Sequence, residues 1–279
     1  MADLTLGFSP CPNDTYIFDA WVNGRLAPPD LPGPAVATCL EDVETLNRWA
    51  LAGKLDITKL SFHAFAKVRG EYELLNAGGA LGFGCGPLIV AGRSLSPADL
   101  AHATVIVPGE LTTAHLLLKL FQPKLAAVRV MPFDEIMPAV AAGAADAGVI
   151  IHESRFTYPR FGLTLVRDLG AWWEETTGLP IPLGGIVARR SLGPERLLAI
   201  ETAIRASIRH ARAHPGDPLP YMRRHAQEME DDVMRRHVDL YVNDFSLDYG
   251  AAGRKVIDLL LEKVAAAGLT AGGAEEPMP

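Results

Sequence analysis

Apolar residues recur along the chain in two rhythms. Short runs predict strands over residues 4–8, 36–40, 55–61, 72–75, 104–107, 128–131, 149–151 and 163–166. Between some of them, apolar positions fall at helical spacing, as in Val43, Leu46, Trp49 and Ala50, and again in Phe133, Ile136, Met137 and Val140. Strands and helices in alternation point to an α/β fold with parallel strands. From Pro194 onward the pattern is helical, with helices expected over 195–214, 218–227, 231–241 and 253–267. The Pro/Gly-rich stretch 23–34 reads as a surface excursion, and the tail after Leu269 as frayed.

Each strand runs into a polar turn and a helix start. Ligands of open α/β sheets bind at such carboxyl ends. The first turn reads Ser9-Pro10-Cys11-Pro12-Asn13-Asp14-Thr15. Its prolines stiffen the loop, and Asn13, Asp14 or Thr15 can cap the next helix, leaving Ser9 and Asn13 beside free helix amides. Lys59, Leu60 and Ser61 occupy a second junction. Lysines mostly sit in solvent, so only its location marks Lys59. Thr112, Thr113 and Ala114 open a third helix. Two threonines beside unpaired N–H groups can hold a carboxylate or phosphate, although one suffices as a cap, and Glu110 opposes an anion unless it points away. At a fourth junction the run 149–151 stops at His152, followed by Glu153, Ser154, Arg155, Phe156, Thr157 and Tyr158. A histidine there can exchange a proton near neutral pH, or it can be a hydrogen-bonded core residue; the segment alone leaves both open. Gly78, Gly79, Gly82, Gly84 and Gly86 lack Rossmann or P-loop spacing and read as flexible or closely approached backbone. Trp172 and Trp173 cannot share one helix face, so a core-and-rim packing is expected.

An internal echo gives the organisation. Ile89-Val90-Ala91-Gly92-Arg93-Ser94-Leu95-Ser96-Pro97 matches Ile186-Val187-Ala188-Arg189-Arg190-Ser191-Leu192-Gly193-Pro194. It suggests two equivalent crossings between lobes. Residues 1–92 plus 187–279 would form one lobe with the C-terminal helices, and 93–186 a second lobe carrying His152. Two α/β lobes joined twice enclose a hinged cleft for a small ligand. The topology resembles the type II periplasmic-binding-protein fold.

The 279 residues, 49% of them hydrophobic, suffice for a large core. A net charge of −7 argues against nucleic acid as the main partner. No run approaches a membrane span, and the opening residues lack a secretory pattern, so a cytoplasmic enzyme is expected. Cys11, Cys39 and Cys85 have no metal-ligand spacing, and no metal is expected. The oligomeric state is not fixed by the sequence, a homodimer included.

Five ordered motifs carry a closer resemblance: residues 9–15; Glu41-Asp42-Val43-Glu44-Thr45-Leu46-Asn47; Thr58-Lys59-Leu60-Ser61; Pro108-Gly109-Glu110-Leu111-Thr112-Thr113-Ala114; and residues 148–158. Together, over residues 4–265, the chain resembles the 1,4-dihydroxy-6-naphthoate synthases of the futalosine route to menaquinone. The resemblance implies a lyase without metal or organic cofactor, acting on cyclic dehypoxanthinyl futalosine, a small aromatic carboxylate. It implies His152 as proton acceptor, with Lys59 to Ser61 and Thr113-Ala114 as substrate contacts. Two other readings use the same scaffold. A non-catalytic solute-binding protein would be favoured by a signal sequence or lipobox and gives His152 no necessary role. The related chorismate dehydratase is disfavoured by the segment around His152. A regulator's effector domain would bring a helix-turn-helix, which is absent.

Overall fold

The computed structural model describes residues 4–26, 34–226 and 230–269. Two mixed sheets organise the chain. The first contains β1 (Leu4–Phe8), β2 (Val36–Leu40), β3 (Ile57–Ser61), β4 (Tyr72–Leu74), β5 (Ala80–Gly82) and the long β11 (Ile181–Arg189). Its order is β2-β1-β3-β11-β4, with β5 also on β11. β1, β2 and β3 run parallel, and β11 lies antiparallel to β3. The second contains β6 (Leu88–Ala91), β7 (Thr104–Val107), β8 (Ala127–Val130), β9 (Ala147–Ile150) and β10 (Thr164–Asp168), in the order β10-β6-β9-β7-β8. β7, β8 and β9 run parallel.

Helices start where parallel strands end, among them α1 (Pro12–Val22) after β1, α2 (Val43–Leu51) after β2, α3 (Phe62–Val68) after β3 and α4 (Thr113–Phe121) after β7. α5 (Phe133–Ala141), the single turn α6 (Ser154–Thr157) and α7 (Leu169–Thr177) complete the second sheet's surroundings. The C-terminal part is helical: α8 (Pro194–Ala213), α9 (Leu219–His225), α10 (Asp231–Tyr241), α11 (Asp244–Leu247) and α12 (Gly250–Ala266). α8 packs along α1. Leu6, Phe8, Ile17, Phe18, Ile57 and Ile204 share one buried cluster between them and the first sheet. Each such side chain contributes about 1.5–3 kcal/mol when fully buried.

Some expectations shift. α1 begins at Pro12, because proline's fixed φ suits the first helical position. Asn13, Asp14 and Thr15 therefore lie inside the first turn and do not cap it. The echoing segments belong to different sheets, β6 to the second and β11 to the first. The chain thus passes between sheets at 83–87 and returns at 178–180, ahead of the expected crossings near 92 and 187. The expected excursion at 23–34, in its part 27–33, and the tail after Leu269 lie outside the described residues.

The glycine-rich stretch is closely approached backbone. A Cβ on Gly86 would lie 2.2 Å from Gly170 Cα, backbone against backbone where the first passage meets α7. Trp173 is buried, with its indole N–H on Pro180 O at 3.0 Å, and Trp172 packs edge-on against Phe121. Gly86→Ala is expected to destabilise the fold by about 1–3 kcal/mol, the range for overpacking. Gly70→Ala, with nothing within 4 Å of its added methyl, should stay near wild type in urea denaturation.

Candidate active site

One cleft lies between the sheets, and every residue singled out at the strand ends lines it: Ser9, Asn13, Lys59, Leu60, Ser61, Thr112, Thr113, Ala114 and His152. Asp14, Cys85, Leu183, Gly184 and Tyr241 join them.

The floor is a buried ion pair. Lys59 Nζ lies 2.7 Å from Asp14 Oδ1, with side chains only 8% and 2% exposed. Asp14 also accepts from Ser9 N at 3.1 Å, Ser9 Oγ at 2.8 Å and Asn13 Nδ2 at 2.8 Å. The rigid Pro-Cys-Pro loop folds Ser9 back onto the first turn of α1, which makes this geometry local in sequence. A buried lysine is unusual; here the carboxylate and its hydrogen bonds offset the desolvation cost.

Ser61 is held from α2. Its N–H donates to Asn47 Oδ1 at 2.9 Å, and Asn47 Nδ2 donates to Ser61 Oγ at 3.2 Å. Thr112 caps α4, accepting from His115 N at 3.2 Å and donating to Gly109 O at 2.8 Å. Thr113 Oγ1 donates to Leu183 O at 2.5 Å and accepts from Phe62 N at 3.1 Å, strapping α4 to β11 and α3. Both hydroxyls are therefore engaged. What α4 offers the cleft is its first backbone amides, at Thr113 and Ala114, which precede any intrahelical acceptor. Glu110 is exposed, 3.8 Å from Arg48, and so points away from the anion position.

His152 follows β9 directly, in a turn, with φ 57, the left-handed region. Among the described residues it is the sole non-glycine with positive φ. Such a conformation costs about 1–3 kcal/mol and persists where the surroundings over-determine it, commonly at active sites. Phe133 meets the imidazole edge-on at 5.1 Å, and His237 of α10 lies roughly parallel at 6.2 Å. Burial pushes the imidazole down to a pKa of about 4, against the pull of Asp14 and with the help of Lys59. At neutral pH the ring is an uncharged base. Arg155 fixes the following turn, donating to Gly86 O at 2.7 Å and to Asp168 Oδ2 at 2.6 Å.

Cys11 Sγ, His152 and Glu153 bring ligand atoms within 4.8 Å of one another, the trio closest to a metal set in the cleft. Burial, then the Glu153 charge, hold the Cys11 thiol well above its ordinary pKa, so it stays a thiol rather than a nucleophilic thiolate.

Sequence reasoning missed His237, Asn47 and Tyr241. His237 stands with Val233, Met234 and Tyr241 on the buried face of α10. A histidine at core spacing in an otherwise charged helix was the available signal. Asn47 lay inside a quoted motif without a role.

Lys59→Met leaves the Asp14 carboxylate buried and uncompensated, and should cost about 3–5 kcal/mol in chemical denaturation. Adding Asp14→Asn should restore a large part of that loss; a double variant as unstable as the single one would contradict the pairing.

Comparison with known proteins places the chain. A family model described as menaquinone biosynthesis matches residues 4–266. A 1,4-dihydroxy-6-naphthoate synthase of Thermus thermophilus is 54% identical over 271 residues, covering 97% of each chain. One from Streptomyces coelicolor is 46% identical over 272 residues, covering 95% of this chain and 94% of that one. A crystal structure of a protein from Archaeoglobus fulgidus superposes with TM-score 0.89 at 34% identity, covering 95% and 98%. The alkanesulfonate-binding protein SsuA of Xanthomonas axonopodis superposes with TM-score 0.70 at 11% identity, covering 98% and 95%, and shares the fold alone. The architecture is that of periplasmic-binding proteins, and the chain belongs to the 1,4-dihydroxy-6-naphthoate synthase family of menaquinone biosynthesis.

Proposed function

We propose that this enzyme is a lyase that converts cyclic dehypoxanthinyl futalosine to 1,4-dihydroxy-6-naphthoate, with His152 as its general base. The observation that carries the assignment is an uncharged histidine, held in a left-handed turn, on a cleft that also receives the N-termini of α3 and α4.

The substrate is an aromatic carboxylate fused to a hydroxylated ring. Its carboxylate is matched by the first amides of α4 at Thr113 and Ala114, with Ser61 beside them. Lys59, Leu60, Ser9 and Asn13, which also line the cleft, face the hydroxylated part. His152 takes a proton from a carbon beside a carbonyl or hydroxyl. The C–H pair moves toward the ring system, the sugar-side bond breaks with its pair on the leaving fragment, and aromatisation supplies driving force. The protein's work is placement of the base, anchoring of the anion and exclusion of water.

The two sheets act as lobes hinged at 83–87 and 178–180 in this reading. Thr113 to Leu183 and Glu44 to Leu111 N at 3.0 Å are contacts that closure makes across the cleft. In this reading the chain works in the cytoplasm, beside the other enzymes of a biosynthetic route.

His152→Asn is the test, because asparagine tolerates the left-handed backbone better than alanine. The variant should melt like wild type and lose about 10²–10⁴-fold in turnover of cyclic dehypoxanthinyl futalosine, read as naphthoate product by mass. Retention of most of the activity would remove His152 as the base. The pH dependence has a definite sign. The base must be neutral, and its depressed pKa extends the neutral range downward, so kcat/KM should hold from pH 7 to about 5 and fall near 4. An acid limb near the ordinary histidine value of about 6.5 would contradict the assignment.

A further inference from the structure

His237 is fully buried, distant in sequence from every cleft motif, and no step above uses it. Its surroundings fix which way the hydrogen bond at Nε2 runs. The Asp14 carboxylate only accepts, so Asn13 must present Nδ2 to it, at 2.8 Å, and Oδ1 to the other side. That Oδ1 lies 2.9 Å from His237 Nε2, which must therefore donate. Donation converges on Asp14, from Lys59 on one side and from His237 through Asn13 on the other, and His237 presents a ring to His152 at 6.2 Å with planes 27° apart. Tyr241 backs His237 at 4.5 Å, and His237 Nδ1 lies 3.9 Å from Glu153 Oε2. Turning the ring would break its bond to Asn13 Oδ1.

We infer that His237 is a positioning residue for the general base: its ring, oriented by Asn13, is the wall that holds the His152 imidazole against Phe133 and keeps water from it. The inference rests on the reading of His152 as base. Two consequences follow from the geometry. The His152 ring has a fixed plane although its residue borders the cleft. Its charged form is also disfavoured, because the wall takes the place of hydrating water. Burial likewise holds His237 well below the ordinary histidine pKa, so the wall is itself uncharged when His152 accepts its proton. The other groups facing His152 are Asp14 on α1, Lys59 on β3, Asp42 at the head of α2, and the adjoining Cys11 and Glu153.

Two substitutions separate the ring from the hydrogen bond. His237→Gln keeps a donor for Asn13 and removes the ring. His237→Phe keeps a ring and removes the donor. His237→Gln should lower kcat by about 10–100-fold, the cost of a base displaced by about an ångström, while KM changes less than about two-fold. The acid limb of kcat/KM should rise toward the ordinary histidine value in His237→Gln and stay low in His237→Phe. In a His152→Asn background, His237→Gln should produce no further loss. An unmoved acid limb in His237→Gln, wild-type kcat in that variant, or a further loss in the double variant would each overturn the inference. Activity retained by His152→Asn alone would instead sink the base assignment, so the two failures are distinguishable.

Discussion

The Asp14 carboxylate accepts from Lys59 Nζ, Ser9 N, Ser9 Oγ and Asn13 Nδ2 inside the protein. Removing such a group from water costs several kcal/mol, and the ammonium and its neighbours together offset that cost. The arrangement joins the end of β1, the start of α1 and the end of β3 at one point. It decides which way the Asn13 amide faces, and hence which nitrogen of His237 carries the proton. It also brings a positive charge near the cleft without exposing it. Remove the pair, and the polar floor loses the order that the histidine wall requires.

The second constraint is the way the two sheets meet. Thr113 spends its hydroxyl on Leu183 O and Phe62 N, and Glu44 of α2 accepts from Leu111 N. Burial raises the Glu44 pKa against the effect of that N–H and of Arg48. Gly109 passes so close that a Cβ there would lie 2.4 Å from Glu44 Oε2. These contacts fix how near α4 comes to β11, and so where its first amides stand relative to Ser61 and His152. Sulfonate-binding proteins share the scaffold at 11% identity, which gives fold and nothing of chemistry.

Much of this was legible in the sequence, for reasons that differ by residue. Ser9, Asn13, Lys59, Ser61, Thr112, Thr113 and His152 stand at strand-to-helix junctions, where local pattern alone marks a position as facing the cleft. Most strands and helices followed from periodicity within a few residues; β5, in the stretch read as flexible or closely approached backbone, did not. The echoing segments are alike in sequence, yet strand pairing puts one in each sheet, and local similarity does not report that pairing. The roles of the Thr113 hydroxyl and of His237 were not legible. They depend on partners more than 50 residues away, Leu183 for Thr113 and Asn13 for His237, and no local rule reports such contacts. The left-handed backbone at His152 also carried no glycine or asparagine to announce it.

The account stands on a histidine that the fold keeps uncharged in the closed cleft. Titration of the His152 ring nitrogens by NMR, in uniformly ¹⁵N-labelled protein with His152→Asn for assignment, reads that state directly. The account predicts a neutral ring at pH 5.5 and a midpoint near 4. A midpoint at or above about 6.5 would mean that the cleft does not desolvate the ring, and would contradict it.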